Sequence, residues 1–279
     1  MTSAAWPAVE LPGTQARRLR AAANGTGYRV NVWLPPGPPP PAGFPALYVL
    51  DGNALFGTFV EAVRRGSRRP DATGIGPAAV VSVAHDGDEL FADALRRRDY
   101  TPGPPAGEAA PGAVGGAAAF LSFIADELAP LLRAELPLDG ARQTLFGHSL
   151  AGLFVLQALA ARPRAFRTWA AISPSIWWDP AGLRAALAAA LKDAHGPRVF
   201  MAVGEWEDAV PPWQRPHPGH AQLVARRAQR RMVGNAQALA VELAGWLGPA
   251  QVAFRVFPEE DHASILMIAA QRALRFASA

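Results

Sequence analysis

Cysteine is absent from the 279 residues, which excludes disulfides, thiol nucleophiles and every thiolate metal site at once. Lysine is nearly absent. Lys192 is the only one among 27 cationic side chains, and all the others are arginine. No apolar run approaches the roughly 18 residues of a membrane span. Met1 to Gly13 carries neither the basic nor the apolar segment of a secretion signal. These absences lead us to expect a cytoplasmic protein without a membrane partner. With 50% hydrophobic residues and a net charge of only +4, the chain is also too apolar and too weakly charged for a disordered class.

Arginine pairs bidentately with carboxylates and phosphates and stacks on aromatic rings, so an anionic or aromatic ligand is one reading of its dominance. A GC-rich coding bias gives the same composition with no ligand. Pro35 to Pro41 is a stiff surface turn, because the apolar runs resume directly after it.

Tyr28 to Leu34 alternates apolar and polar residues, as a half-buried strand does. Ala46–Leu50, Ala79–Ala84, Thr144–Phe146 and Arg198–Val203 are continuously apolar, as strands buried on both faces require, and Val252–Phe257 alternates again. Helical spacing lies between them, at Phe120, Ile124, Leu128 and Leu132 and over Ala151–Ala161. This order predicts a doubly wound, mostly parallel α/β sheet with helices on both faces. Residues 1–279 read as one domain, with 1–25 a loosely ordered or edge-strand segment. His217–Trp246 reads as one long helix bearing Arg226, Arg227, Arg230 and Arg231. A solvated face explains that cluster better than nucleic-acid binding, because aromatic residues are not interleaved with it. Arg64, Arg65, Arg68 and Arg69 likewise read as solvated.

The strongest chemical signal is Thr144-Leu-Phe-Gly147-His148-Ser149-Leu150-Ala151-Gly152, an apolar strand running through a small-residue turn into a helix. That context is a nucleophile elbow, in which the turn is so sharp that only small side chains fit two residues either side of the serine. Ala151 stands where glycine is usual. A serine there needs a base. Of six histidines, His148 lies inside the elbow, His85 precedes it, and His195, His217 and His220 sit in polar or proline-rich stretches. Only His262 follows the last strand. An acid between them in the chain is expected in Gly204-Glu205-Trp206-Glu207-Asp208, after the Arg198–Val203 strand. A Ser–His dyad remains open. Backbone N–H groups for an oxyanion hole are expected from Leu150 and from the Asp51-Gly52-Asn53 loop.

Leu47-Tyr-Val-Leu-Asp-Gly-Asn53, Arg98-Asp-Tyr-Thr-Pro102, Gly147-His-Ser-Leu-Ala-Gly-Leu-Phe154, Ser173-Pro-Ser-Ile-Trp-Trp178 and Asp261-His262, in this order, resemble the esterase D-like branch of the α/β-hydrolases. The likeness is nearest to siderophore esterases that open the trilactone of enterobactin, salmochelin or bacillibactin. It implies Ser149 and His262 as the catalytic pair and Glu207 as the best-matched acid, with Glu205 and Asp208 as rivals. It implies oxyanion donors near Gly52 and Asn53, and a catecholate pocket lined by Arg98 and Trp177. An arginine of the 226–231 stretch could face that pocket, and Arg231 is the candidate taken. Trp177 and Trp178 read equally well as packing residues. The implied activity is serine carboxylic-ester hydrolysis without metal or organic cofactor, any iron arriving with the small-molecule substrate. A general short-chain or aryl carboxylesterase, or a binding protein on the same fold, would share most of these motifs.

Overall fold

The computed structural model describes residues 6, 8–107, 109, 112–192, 196–216 and 218–279. His195 and His217 lie outside the described residues. Among the described residues, eight strands form one sheet: β1 (Thr14–Arg20), β2 (Gly27–Trp33), β3 (Phe44–Val49), β4 (Ala79–His85), β5 (Leu138–His148), β6 (Thr168–Ile172), β7 (Arg198–Gly204) and β8 (Val252–Phe257). Their order across the sheet is β1-β2-β4-β3-β5-β6-β7-β8. The first two pairings are antiparallel and the rest are parallel. This is the doubly wound, mostly parallel arrangement that the apolar runs predict.

Among the described residues, ten α-helices connect and cover these strands. They are α1 (Gly52–Gly66), α2 (Pro70–Thr73), α3 (Asp93–Tyr100), α4 (Ala117–Ser122), α5 (Ala129–Glu135), α6 (Leu150–Ala161), α7 (Pro180–Leu191), α8 (His220–Arg230), α9 (Met232–Leu247) and α10 (Ile265–Ser278). Among the described residues no helix is long and apolar enough to cross a membrane. Period-2 alternation divides each central strand between two cores. In β3, Ala46 and Tyr48 face the core beneath α4, α6, α7 and α9, while Leu47 and Val49 face the core beneath α1 and α10. Both faces are therefore dry, which is why these strands are continuously apolar.

The chain leaves β3 for β4 on one side of the sheet and later returns to place β5 on the other side of β3. The winding direction reverses there. The carboxyl ends of β3 and β5 are consequently neighbours, with Val49 paired to Phe146 and the connecting loops diverging above and below. A crevice forms at such a switch point, and ligands bind in it. The Asp51 loop and the Ser149 turn both open onto it.

Three expectations change. β6 carried no clear sequence signal, because Thr168-Trp-Ala-Ala-Ile172 is short and alanine-rich, yet it is fully buried in the middle of the parallel ladder. The four-residue repeat from Phe120 to Leu132 passes through a π-helical segment, Phe123–Leu128. Pro130 has no N–H to donate back to the preceding turn, and the wider turn keeps Phe120, Ile124, Leu128 and Leu132 all buried. The long helix expected over 217–246 is instead α8 and α9, broken at Arg231, whose φ is +45°. Asp208 accepts the N–H groups of Val233 and Gly234, each at 3.1 Å. A distant carboxylate thus caps α9 and fixes its start. The 1–25 segment contributes β1 as an edge strand.

Trp169 is the largest fully buried side chain, and its ring nitrogen has no hydrogen-bond partner. Trp169→Ala is expected to cost about 3–5 kcal/mol of unfolding free energy. Trp169→Phe keeps most of the volume, discards the orphaned donor and should cost less than about 1.5 kcal/mol. Urea titration of both variants checks this.

Candidate active site

Ser149 ends β5 and heads α6 with φ +61° and ψ −117°, a conformation that costs a residue bearing a Cβ about 1–3 kcal/mol. The surroundings enforce it. A Cβ on Gly147 would lie 2.3 Å from the Ala151 carbonyl oxygen, and one on Gly152 would lie 2.9 Å from that of Ile172. Both glycines are required by close backbone approach, whereas the fully buried Ala151 fits with its methyl. The Ser149 N–H donates to the Ile172 carbonyl at 3.0 Å, and its carbonyl accepts the Ser175 N–H at 3.1 Å. The turn is thereby tied to β6 and to the segment that follows it.

His262 lies in the loop after β8, with its Nε2 3.0 Å from Ser149 Oγ and its Nδ1 2.7 Å from Glu207 Oε2. Glu207 is buried, and its other oxygen accepts Ser173 Oγ–H at 2.5 Å and the Gly204 N–H at 2.7 Å. Three donors therefore surround one carboxylate and leave it a single orientation. The neighbouring acids are engaged elsewhere. Glu205 Oε2 accepts the Glu259 N–H at 2.9 Å, and Asp208 caps α9. Ser173 holds φ +44°. Its contact with Glu207 was missed from sequence, and the only signal available was Ser-Pro-Ser directly after an apolar run.

Gly204 carries no side chain because the His262 loop crosses it closely: a Cβ there would meet the Glu260 carbonyl oxygen at 2.4 Å. The Trp206 N–H donates to that same carbonyl at 3.0 Å. His148 supports the loop from beneath. Its ring lies 4.6 Å from the His262 ring, and its Nε2 is 2.8 Å from the His262 carbonyl oxygen. A carbonyl only accepts, so Nε2 carries the proton and Nδ1 is a buried acceptor with no partner.

The remaining predicted residues are placed as follows. Gly52 opens α1, and a Cβ on it would lie 2.6 Å from Ser82 Oγ. Its N–H and that of Asn53 belong to the first helical turn and have no intrahelical acceptor. The Asn53 side chain accepts from Arg29 and donates to the carbonyls of His85, Gly87 and Glu89. It closes a loop and leaves only its backbone N–H for other use. Leu150 follows Ser149 at the first position of α6, so its N–H is similarly unmatched. Trp177 lines a groove of about 130 Å³ beside the Ser149–His262 pair, together with Ser175, Leu223, Arg226, Arg227 and Arg230. The Arg230 guanidinium sits over the Trp177 ring at 4.3 Å.

Two of the expected substrate-binding residues are not among those lining this groove. Arg98 is not in this groove; its Nε and Nη2 grip Asp99 at 2.6 and 2.8 Å. Asp99 is fully buried and also bonds Tyr28 and His85, so it needs the guanidinium as counter-charge. Arg231 does not line the groove either, because the left-handed break between α8 and α9 places it beyond the helical face that Arg226, Arg227 and Arg230 present.

Burial, and then the neighbouring His262 ring, push His148 well below the ordinary histidine range. The folded protein therefore excludes a proton that the unfolded chain binds below a pH of about 6.5. Stability from this group is complete above that pH and falls as the solution is acidified through it. His148→Gln removes the titration. The apparent Tm of the wild type is expected to drop more steeply between pH 7.5 and 5.5 than that of the variant, in a calorimetric pH series.

The family model described as "Putative esterase" matches residues 21–238. The chain is 37% identical to a ferri-bacillibactin esterase of Bacillus subtilis, over 97% of this chain and 91% of that protein. It is 33% identical to a siderophore enterobactin esterase of Emericella nidulans, over 84% and 82%. Among solved structures, the BES protein from Bacillus cereus superposes with a TM-score of 0.84 at 31% identity over 100% of both chains. The siderophore hydrolase EstB from Aspergillus nidulans gives 0.82 at 27% identity over 96% of both. The sheet is that of an α/β-hydrolase, and the chain belongs to the esterase family.

Proposed function

We propose that this esterase opens the trilactone of a catecholate siderophore through an acyl-Ser149 intermediate. The observation that carries the mechanism is the continuous hydrogen-bonded line Glu207–His262–Ser149, with distances of 2.7 and 3.0 Å, at the strained head of a helix. Ser149 Oγ attacks the ester carbonyl carbon while His262 Nε2 takes its proton. The oxygen becomes an oxyanion, met by the Leu150 N–H and by the N–H of Gly52 or Asn53. The carbon–oxygen bond to the alcohol then breaks, and His262 returns the proton to the leaving alkoxide. Water, deprotonated by His262, releases the acid and restores Ser149. Glu207 holds the ring by Nδ1 and stabilises its protonated form.

The substrate class is supported by the names of the relatives and by the groove. Trp177 supplies an aromatic wall, and Arg226, Arg227 and Arg230 supply cations in the groove that His262 also lines. A ferric tris-catecholate is a trianion with aromatic faces, which suits both. At about 130 Å³ the groove is smaller than a cavity that encloses a whole drug-sized ligand, roughly 300 Å³ or more. It accommodates one aromatic arm, and the metal-bound remainder rests against α8. Hydrolysis of the ring unlinks the three chelating arms and so weakens the hold on iron.

Ser149→Ala is expected to abolish turnover of a ferric cyclic tris-catecholate trilactone and of p-nitrophenyl butyrate alike, and Glu207→Gln to lower kcat by roughly 10⁴. Retention of hydrolysis by Ser149→Ala would overturn the mechanism. Arg230→Glu should raise KM for the ferric trilactone at least tenfold and leave KM for the neutral ester unchanged. Cleavage of the simple ester alone by the wild type would keep the serine chemistry and remove the siderophore.

A further inference from the structure

Asp51 and Arg96 form a buried ion pair that the reaction described above does not use. Asp51 precedes α1 in a left-handed conformation, φ +54°. Its carboxylate receives Arg96 Nε at 2.9 Å and Nη2 at 3.0 Å, a bidentate grip between side chains that are 1% and 7% exposed. The same Nη2 also donates to the His148 carbonyl at 3.3 Å. One guanidinium therefore touches the residue just before Gly52 and the residue just before Ser149. These two loops leave adjacent strands on either side of the switch point; the Leu50 N–H donates to the Phe146 carbonyl at 3.1 Å, and beyond that bond Arg96 adds a side-chain tie between the Asp51 and His148 positions.

The plane of the guanidinium is itself fixed. Phe91 and Tyr100 lie 5.1 and 5.8 Å from its central carbon. Tyr100 stands one turn along α3 from Arg96, donates its hydroxyl to Asp51 Oδ1 at 3.1 Å and receives the Asp51 N–H at 3.4 Å. An ion pair at this depth is weak evidence for stability, since well-packed apolar residues often serve as well. A planar fork with several donors at set angles is suited to fixing a distance.

We infer that Arg96 is a positioning residue that sets the separation of the two halves of the oxyanion hole by clamping the Asp51 loop to the Ser149 turn. This rests on the serine mechanism proposed above. Donors to an oxyanion act only when held where the charge develops, and losing one costs roughly 10²–10³ in kcat. A loosened clamp shifts one donor relative to the other, and its effect falls on the transition state while ground-state binding is untouched.

The test is Arg96→Lys, which retains the positive charge but cannot span Asp51 and the His148 carbonyl together. Wild type and Ser149→Ala run beside it on p-nitrophenyl butyrate, with a short-chain trifluoromethyl ketone as the oxyanion-forming inhibitor. The expected result is a kcat lower by roughly 10–100-fold, KM within twofold of wild type, and a Ki raised by the same factor as kcat/KM falls. A lowered Tm with kcat and Ki unchanged, or a change confined to KM, overturns the clamp and leaves Arg96 structural. If Arg96→Lys does not fold, Asp51→Asn is read by the same three quantities, and unchanged kcat and Ki there overturn the clamp equally. A wild type inactive on both ester classes defeats the serine reading itself, and the clamp with it, which is a different result from an active wild type matched by its Arg96 variant.

Discussion

The whole site depends on one backbone turn. Ser149 has to leave a buried parallel strand and begin a helix within a single residue, and it can do so only at φ +61°. That turn leaves no room for a side chain at residue 147 or beyond a methyl at 151, and it lays the elbow directly against the carboxyl end of β6. Strain of this kind persists only when the surroundings over-determine it. Here β6, the Ser175 segment and the packed apolar length of α6 do so. Once the hydroxyl is fixed at the crevice, every other polar group is arranged around it.

The second organising feature is where the sheet puts its charges. Three carboxylates, Asp51, Asp99 and Glu207, are almost wholly removed from solvent, and each is surrounded by donors. α3 serves two of them: Arg96 and Tyr100 grip Asp51, while Arg98 grips Asp99. Burial alone would raise the Asp99 carboxyl, but hydrogen bonds from Arg98, His85 and Tyr28 outweigh that and hold it below the usual carboxylate range. Asp99 meets His85 and Glu207 meets His262, and of these two histidines it is His262 that stands 3.0 Å from Ser149 Oγ. The protein thus uses the same device, a carboxylate saturated with donors, twice away from Ser149 and once for orienting the histidine beside it.

The arginines show why composition is a weak guide to ligands. Arg98 and Arg231 looked equivalent to their neighbours along the chain. Arg98 belongs to a buried carboxylate one residue away, and Arg231 occupies the break between two helices, so neither reaches the groove. Arg226, Arg227 and Arg230 reach it because α8 ends where Asp208, some two dozen residues earlier, caps α9. Nothing local to the 217–246 stretch announced that cap.

Order along the chain by itself determined the sheet type, the elbow at Ser149 and the histidine after the last strand, because hydrophobic period, small-residue turns and strand context are local properties. It also confined the acid to the run 205–208. Only the tertiary structure separates Glu205, Glu207 and Asp208: all three follow the same strand, but Glu207 meets His262 Nδ1, Glu205 meets the Glu259 N–H and Asp208 meets the start of α9. It alone revealed β6, whose short alanine-rich run carries no period of its own and becomes a strand through pairing on both sides. It alone showed that Arg96 spans two loops brought together by the winding reversal between β3 and β5, a contact between residues roughly fifty positions apart that no local pattern encodes.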